Sequence, residues 1–214
     1  MIDQHASPGP GEAGDYAVLG SRAVHAGHVF DVVVDRVRMP SGDVRERDVV
    51  RHPGAVGVVA LDAAGQVLLI RQYRHAVGRH LLELPAGVLD VDGEPGSRAA
   101  ARELAEEVGL VASRWDLLVE AYSSSGMSDE AVRVFLARDV AAAADTGYER
   151  VDEEAEISPR WVPLDEAVSM VQRGEVTNAL CVMGLLAAAR ARDGGWTGLR
   201  PVTTRWEGRP THTG

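Results

Sequence analysis

At 214 residues, with 45% hydrophobic and 25% charged side chains, the chain has the balance of one large globular domain with or without a small appendage, which excludes intrinsic disorder and two full domains. A formal charge of -10, from 32 acidic against 22 basic side chains, opposes a bare polyanion, so nucleic acid is not an expected partner. Every basic side chain is Arg, which excludes a lysine Schiff base and a lysine-bearing phosphate loop, and the single Cys181 excludes an intramolecular disulfide or a cysteine zinc cluster.

Residues 1–15 hold Gly, Pro, Asp and Glu with almost nothing to bury and read as a loose tail without the basic and apolar regions of a signal peptide. No apolar run approaches a membrane span, so the expected location is the cytoplasm, with no membrane partner. Order is expected from Tyr16. The alternation in 29–39, the turn residues of 40–43 and the resumed pattern to Val50 predict a β-hairpin. A second strand pair is expected at 55–61 and 66–74, where apolar runs suit central strands covered on both faces. A helix follows over 97–108, with Ser97 as N-cap and Gly109 as C-cap, because Ala, Arg, Leu and Glu run through it with no β-branched residue before Val108. Further strands are expected at 117–122, 132–137 and around 161–163, and helices at 164–173 and 177–192. The class is therefore α/β or α+β. Trp196 and Trp206, in a tail from Gly194 without a clear element, are placed to dock on the body.

On the 97–108 helix, Glu103 and Glu107 lie only about 40° apart around the axis, and Glu106 about 60° to the other side of Glu103. Three carboxylates on one patch repel unless a cation neutralises them, and oxygen-only donors favour a hard ion, Mg2+ or Mn2+. Cys181 sits in an apolar stretch and reads as a buried structural thiol. His52, His75 and His80 fall at strand ends; His52 is either at the substrate or a satisfied surface imidazole. Phe30 is either an adenine platform or core.

The stretch from Gly87 to Leu110 resembles the Nudix hydrolase box: Gly87, the acid Glu94, seven residues, and then Arg102-Glu103-Leu104-Ala105-Glu106-Glu107-Val108-Gly109-Leu110. Six residues separate Gly87 from Glu94 where the family has five, and the extra one falls in the loop before the helix, which absorbs it at little cost. The resemblance implies metal binding by Glu103 and Glu107 with the main-chain carbonyl of Ala86, Glu106 as a secondary ligand, and Arg102 and Glu94 orienting these groups in support of catalysis.

Blocks outside the box, at 45–61, 68–87, 123–130 and 152–167, are similar to the ADP-ribose pyrophosphatase subfamily. That resemblance implies a Nudix α/β/α sandwich (53–193) with a small N-terminal β-domain (16–52) exchanged in a homodimer, a C-terminal tail (194–214), and Mg2+-dependent hydrolysis of ADP-ribose to AMP and ribose 5-phosphate. It places Arg47, Arg74, Val88, Gly126 and Glu130 at the nucleoside diphosphate substrate, Arg74 being otherwise a strand-end Arg paired with Glu. Ser125 stands where the subfamily usually has proline. The general base is expected in the acidic stretch 148–158, at Glu153 or Glu154 with preference for Glu153, and Glu156 as a further candidate. The alternatives are a pyrophosphatase for another nucleoside diphosphate derivative, an ADP- or GDP-sugar or a dinucleotide, and a sensor that binds ADP-ribose without hydrolysing it.

Overall fold

The computed structural model describes residues 15–144 and 156–210, and among these ten strands and three α-helices form. The tail before Asp15, together with Glu153 and Glu154, lies outside the described residues. Two compact units are distinguished: the residues up to His52 with Ser124–Asp129, and Pro53–Ser123 with the chain from Glu130 onward.

In the first unit β1 (Ala17–Ala26), β2 (Asp31–Arg38) and β3 (Val44–Arg51) form an antiparallel sheet in that order. The hairpin expected from 29–50 is β2–β3, closed by Met39 N–H donating to the Asp43 carbonyl at 2.8 Å, with Gly42 at φ 90°. β1 was not legible because register shifts at Val18/Gly20 and Ala23/His25 break the period-two pattern.

In the second unit β4 (Ala55–Ala60) and β5 (Gln66–Arg74) are both central strands, but not of one sheet. The expected pairing is corrected: apart from an isolated Leu61–Val67 bridge, β5 lies between β6 (Arg79–Glu83) and β10 (Ser158–Pro163), while β4 lies between β7 (Ala86–Val88) and β9 (Ala131–Ala142), with β8 (Leu110–Tyr122) beyond. Among the described strand pairs of this unit β4–β9 is parallel and the others are antiparallel. β4 splits its side chains between two cores: Val56, Val58 and Ala60 pack with α1 (Gly96–Val108), and Val59 packs with α2 (Leu164–Gln172) and α3 (Ala179–Asp193). Covering on both faces is why the strand reads as a continuous apolar run. α3 comes close because Gly57 faces Leu180, and because a Cβ on Gly184 would lie 2.7 Å from Leu84.

The N-cap of α1 is Pro95, which makes no side-chain cap bond, and Ser97 is inside the helix; the expected Gly109 C-cap is present at φ 65°. α3 is capped by Asn178, which accepts from Cys181 N–H at 2.9 Å. Cys181 is fully buried and its thiol is pushed up to about 12 by that burial, then by Glu83, so it is not a nucleophile. No helix among the described residues is long and apolar enough to cross a membrane.

The chain after α3 is fixed to this body. Leu117 N–H donates to the Arg200 carbonyl at 2.8 Å, and Arg138 stacks over Trp196 at 4.9 Å. Arg133, 3% exposed, donates from its two terminal nitrogens to the carbonyls of Thr204 and Arg205 at 2.8 Å, pairs with Glu120 at 2.7 Å, and lies 4.7 Å from the Trp206 ring centroid. Burial works against the Glu120 charge, yet the hydrogen bonds from Arg200 and Arg133 hold its carboxyl below the usual range. Arg133→Ala is expected to destabilise by about 2–4 kcal/mol, because it leaves two main-chain carbonyls without their donor and Glu120 with Arg200 alone. A fall of the melting midpoint of roughly 10 °C in calorimetry would show this, and a fall under roughly 3 °C would contradict it.

Candidate active site

α1 packs its Ala100, Leu104 and Glu107 side, an i, i+4, i+7 stripe, into the protein. The last of these is a carboxylate where the pattern asks for an apolar residue. Glu107, 4% exposed, accepts the main-chain N–H of Ala86 at 2.9 Å. One turn earlier the Glu103 carboxyl rests against Gly87, so closely that a Cβ there would occupy the position of the carboxyl group. Two carboxylates are thus set on consecutive residues of β7, and glycine is needed at 87 for space.

Burial pushes the Glu103 carboxyl up to about 7, against the pull of Arg102, with Glu106 and Asp90 adding repulsion. The site therefore disfavours its own negative charge, and a cation would relieve that. Arg102 joins the acids: its Nη1 lies 2.8 Å from Glu103 and 2.9 Å from Glu106, and its Nη2 lies 3.2 Å from Glu94 and 3.9 Å from Asp90. Burial lowers the guanidinium's affinity for its proton, but the hydrogen bond to Glu94, the charge of Glu103 and the bond to Glu106 outweigh it and hold Arg102 well above its ordinary value. The Arg102 Nε is buried and has no hydrogen-bond partner among the described residues. Among the described residues no three His, Cys, Asp or Glu side chains converge on one point as a metal cage, so any ion here would complete its shell from main chain, substrate or water.

Val88 sits beside this cluster on β7, half-buried and paired with Ala55. At the end of β5, Arg74 forks onto Glu83, Nε to Oε1 at 2.9 Å and Nη2 to Oε2 at 2.6 Å. Glu130 accepts a short hydrogen bond from Ser123 Oγ, and its carbonyl accepts from Ser123 N–H at 3.1 Å. Arg47 and Gly126 belong to the other unit: Arg47 is exposed on β3 and donates to the Glu46 carbonyl at 2.8 Å, and Gly126 is in the exposed turn at 124–127. In that unit Asp129 ties to the end of β3, its N–H donating to Val50 and its carboxylate accepting from His52 N–H. Glu156 is exposed and faces His80 Nε2 at 3.8 Å; His75 and His80 flank Tyr73. Phe30 is exposed in the chain and is not core.

No motif in the sequence points to Glu83. It is 2% exposed, and its one signal there is a lone carboxylate inside the apolar run Leu81-Leu82-Glu83-Leu84, a position that demands a partner.

The NUDIX domain family matches residues 51–180. A protein of Mycobacterium tuberculosis named ADP-ribose pyrophosphatase is 45% identical over 203 residues, covering 92% of this chain and 94% of its own. One of the same name from Bacillus subtilis is 34% identical over 161 residues, 75% of this chain and 85% of its own. In fold the chain is similar to a solved structure described as an ADP compounds hydrolase, with a TM-score of 0.73 at 20% identity over 86% of this chain and 98% of that one. Two carboxylates of one helix laid against a glycine-bearing strand, the first of them paired with Arg102, belong to a sequence whose match spans more than half the chain, and the chain is a member of the Nudix family of hydrolases.

Proposed function

We propose that this enzyme hydrolyses the diphosphate of ADP-ribose to AMP and ribose 5-phosphate. The observation that carries the reading is the Glu103–Glu107 pair of α1 set against β7, with the Glu103 charge unfavourable as it stands, in a chain 45% identical to a relative named for this activity. Nudix hydrolases generally depend on divalent metal, and a hard ion, Mg2+ with Mn2+ as substitute, fits the all-oxygen donors Glu103, Glu107 and the Ala86 carbonyl, with Glu106 as a further ligand. Such an ion neutralises diphosphate oxygens and lowers the pKa of water. Arg102, itself held by Glu94, fixes the Glu103 and Glu106 carboxylates in place. Arg74, held rigid by the Glu83 fork, and Arg47 bind phosphate or adenosine; Val88, Gly126 and Glu130 complete the substrate site; and a glutamate at 153 or 154 takes the proton from the attacking water. A protein that only bound ADP-ribose would have no use for a carboxylate kept at so unfavourable a position. A cytoplasmic location fits a nucleotide substrate and a free thiol.

The test is AMP release over a panel of nucleoside diphosphate compounds with Mg2+ and Mn2+. ADP-ribose is expected to give the highest kcat/KM. Because Ser125 replaces the subfamily's proline, a GDP-sugar or dinucleotide turned over faster would move the assignment to that substrate, and no turnover of any would overturn hydrolysis.

The protein is also proposed to act as a homodimer through its N-terminal sheet, which in the single chain leaves Val18, Val24 and Phe30 exposed. Sedimentation at micromolar concentration is expected to give a dimer, and an active monomer would refute this.

A further inference from the structure

The chain after α3 makes a path into the metal-binding cluster. Trp206, stacked on Arg133, presses on Gly96, the first residue of α1, where a Cβ would lie 3.1 Å from its ring. Three residues on, Arg209 Nη1 donates to the main-chain carbonyl of Glu94 at 2.8 Å. The Glu94 carboxylate accepts from Arg102, and Arg102 reaches Glu103 and Glu106. From Arg209 onward the links are charge-assisted hydrogen bonds, and they end at the Glu103 carboxylate of α1, which rests against β7.

We infer that Arg209 is a positioning residue: the C-terminal segment straps the β7–α1 loop at Glu94, and through Glu94 and Arg102 sets the Glu103 carboxylate for its cation. The loop from 89 to 95 needs such a support. It is one residue longer than the family's spacing, it turns through Gly93 at φ 73°, and its main-chain bonds among the described residues are Leu89 N–H to Gly54, Glu94 N–H to Val91, and those of Arg98 and Ala99 N–H to the Pro95 carbonyl at the helix entry. Pro95 gives α1 no side-chain cap, so the loop is held to the helix through Glu94 and Asp90 at Arg102, and the remote arginine adds a main-chain anchor at Glu94. The tail itself is rigid because Arg133 and Arg200 hold it to the sheet by backbone and Glu120 contacts. A loop held from both sides keeps the carboxylate within the small tolerance that metal ligation needs.

The inference rests on the metal reading above, and the experiment separates the two. The intact protein, without substrate, is titrated with Mn2+ and the free ion is followed by electron paramagnetic resonance. Arg209→Ala is expected to raise the Mn2+ dissociation constant about threefold to tenfold, less than the roughly 10- to 100-fold for loss of a direct outer partner, with its melting midpoint near the parent's. Arg209→Lys, which keeps a donor for the carbonyl, is expected within about twofold of the parent. Glu103→Gln is expected to bind far more weakly than either. Parent-like affinity in Arg209→Ala, or equal weakening in the Ala and Lys variants, overturns the strap while leaving the metal site intact. Parent-like affinity in Glu103→Gln overturns the metal reading and the strap with it.

Discussion

Replacing Glu103 or Glu107 by glutamine is expected to lower kcat by about 10² or more while the protein still folds, since each change removes a charged oxygen from the group that stabilises the developing transition-state charge. Glu103 titrates at about 7 in the fold against 4.5 as the ordinary value, because burial disfavours its charge. The folded state therefore binds more protons than the unfolded state between those two values, and stability falls as pH rises from about 4.5 through 7, levelling above. Glu103→Gln removes this loss, so in the presence of a chelator it should melt higher than the parent at pH 8 and equal to it near pH 4.5. Adding the divalent ion should reverse the order, because only the parent gains from it. Glu107→Gln keeps an acceptor for the Ala86 N–H in its amide oxygen, so the β7 contact should survive. Calorimetry at the two pH values with and without metal, beside kcat at saturating Mg2+, checks all of this. Turnover near the parent's in either variant would end the ligand assignment, and a parent that melts higher at pH 8 than at pH 6 without metal would contradict the account of Glu103.

Glu153→Gln is expected to lower kcat by about 10² to 10⁴, with KM and metal affinity little changed. Glu103 and Glu107, if they hold metal, cannot also accept a proton from water, so the base must come from another segment. The stretch before β10 is the later part of the sequence with clustered carboxylates, at Asp152, Glu153, Glu154 and Glu156. Glu156 faces His80 and is exposed, which engages it elsewhere and leaves the other two glutamates as the candidates. Glu154→Gln and Glu156→Gln serve as comparisons. A bell-shaped pH profile of kcat that loses its acidic limb in Glu153→Gln alone would identify the base, and all three variants within a few-fold of the parent would show that it lies outside this stretch.

Much of the site was legible in the sequence because it is built on one helix and its flanks. Periodicity alone places Glu103 and Glu107 on one face, Gly109 ends the helix where expected, and the apolar runs at 55–61 and 66–74 mark strands covered on both sides. The hairpin of β2 and β3 follows from alternation and a Pro-Ser-Gly-Asp turn. What local pattern cannot carry is partnership between distant segments. That β4 and β5 lie in different sheets depends on β9 and β10, far along the chain, offering better partners. β1 is hidden by its bulges, and the three-residue β7 is too short for any period to show. Residue type predicts that Glu83 needs a partner; only the return of β6 alongside β5 makes that partner Arg74. Likewise nothing around Arg209, in a stretch of Gly, Pro and Thr, points to Glu94, 115 positions earlier. Sequence determined the chemistry, because ligand type and helical spacing are local properties; the tertiary structure decided which charges meet, because that depends on which distant backbones are brought within hydrogen-bonding reach.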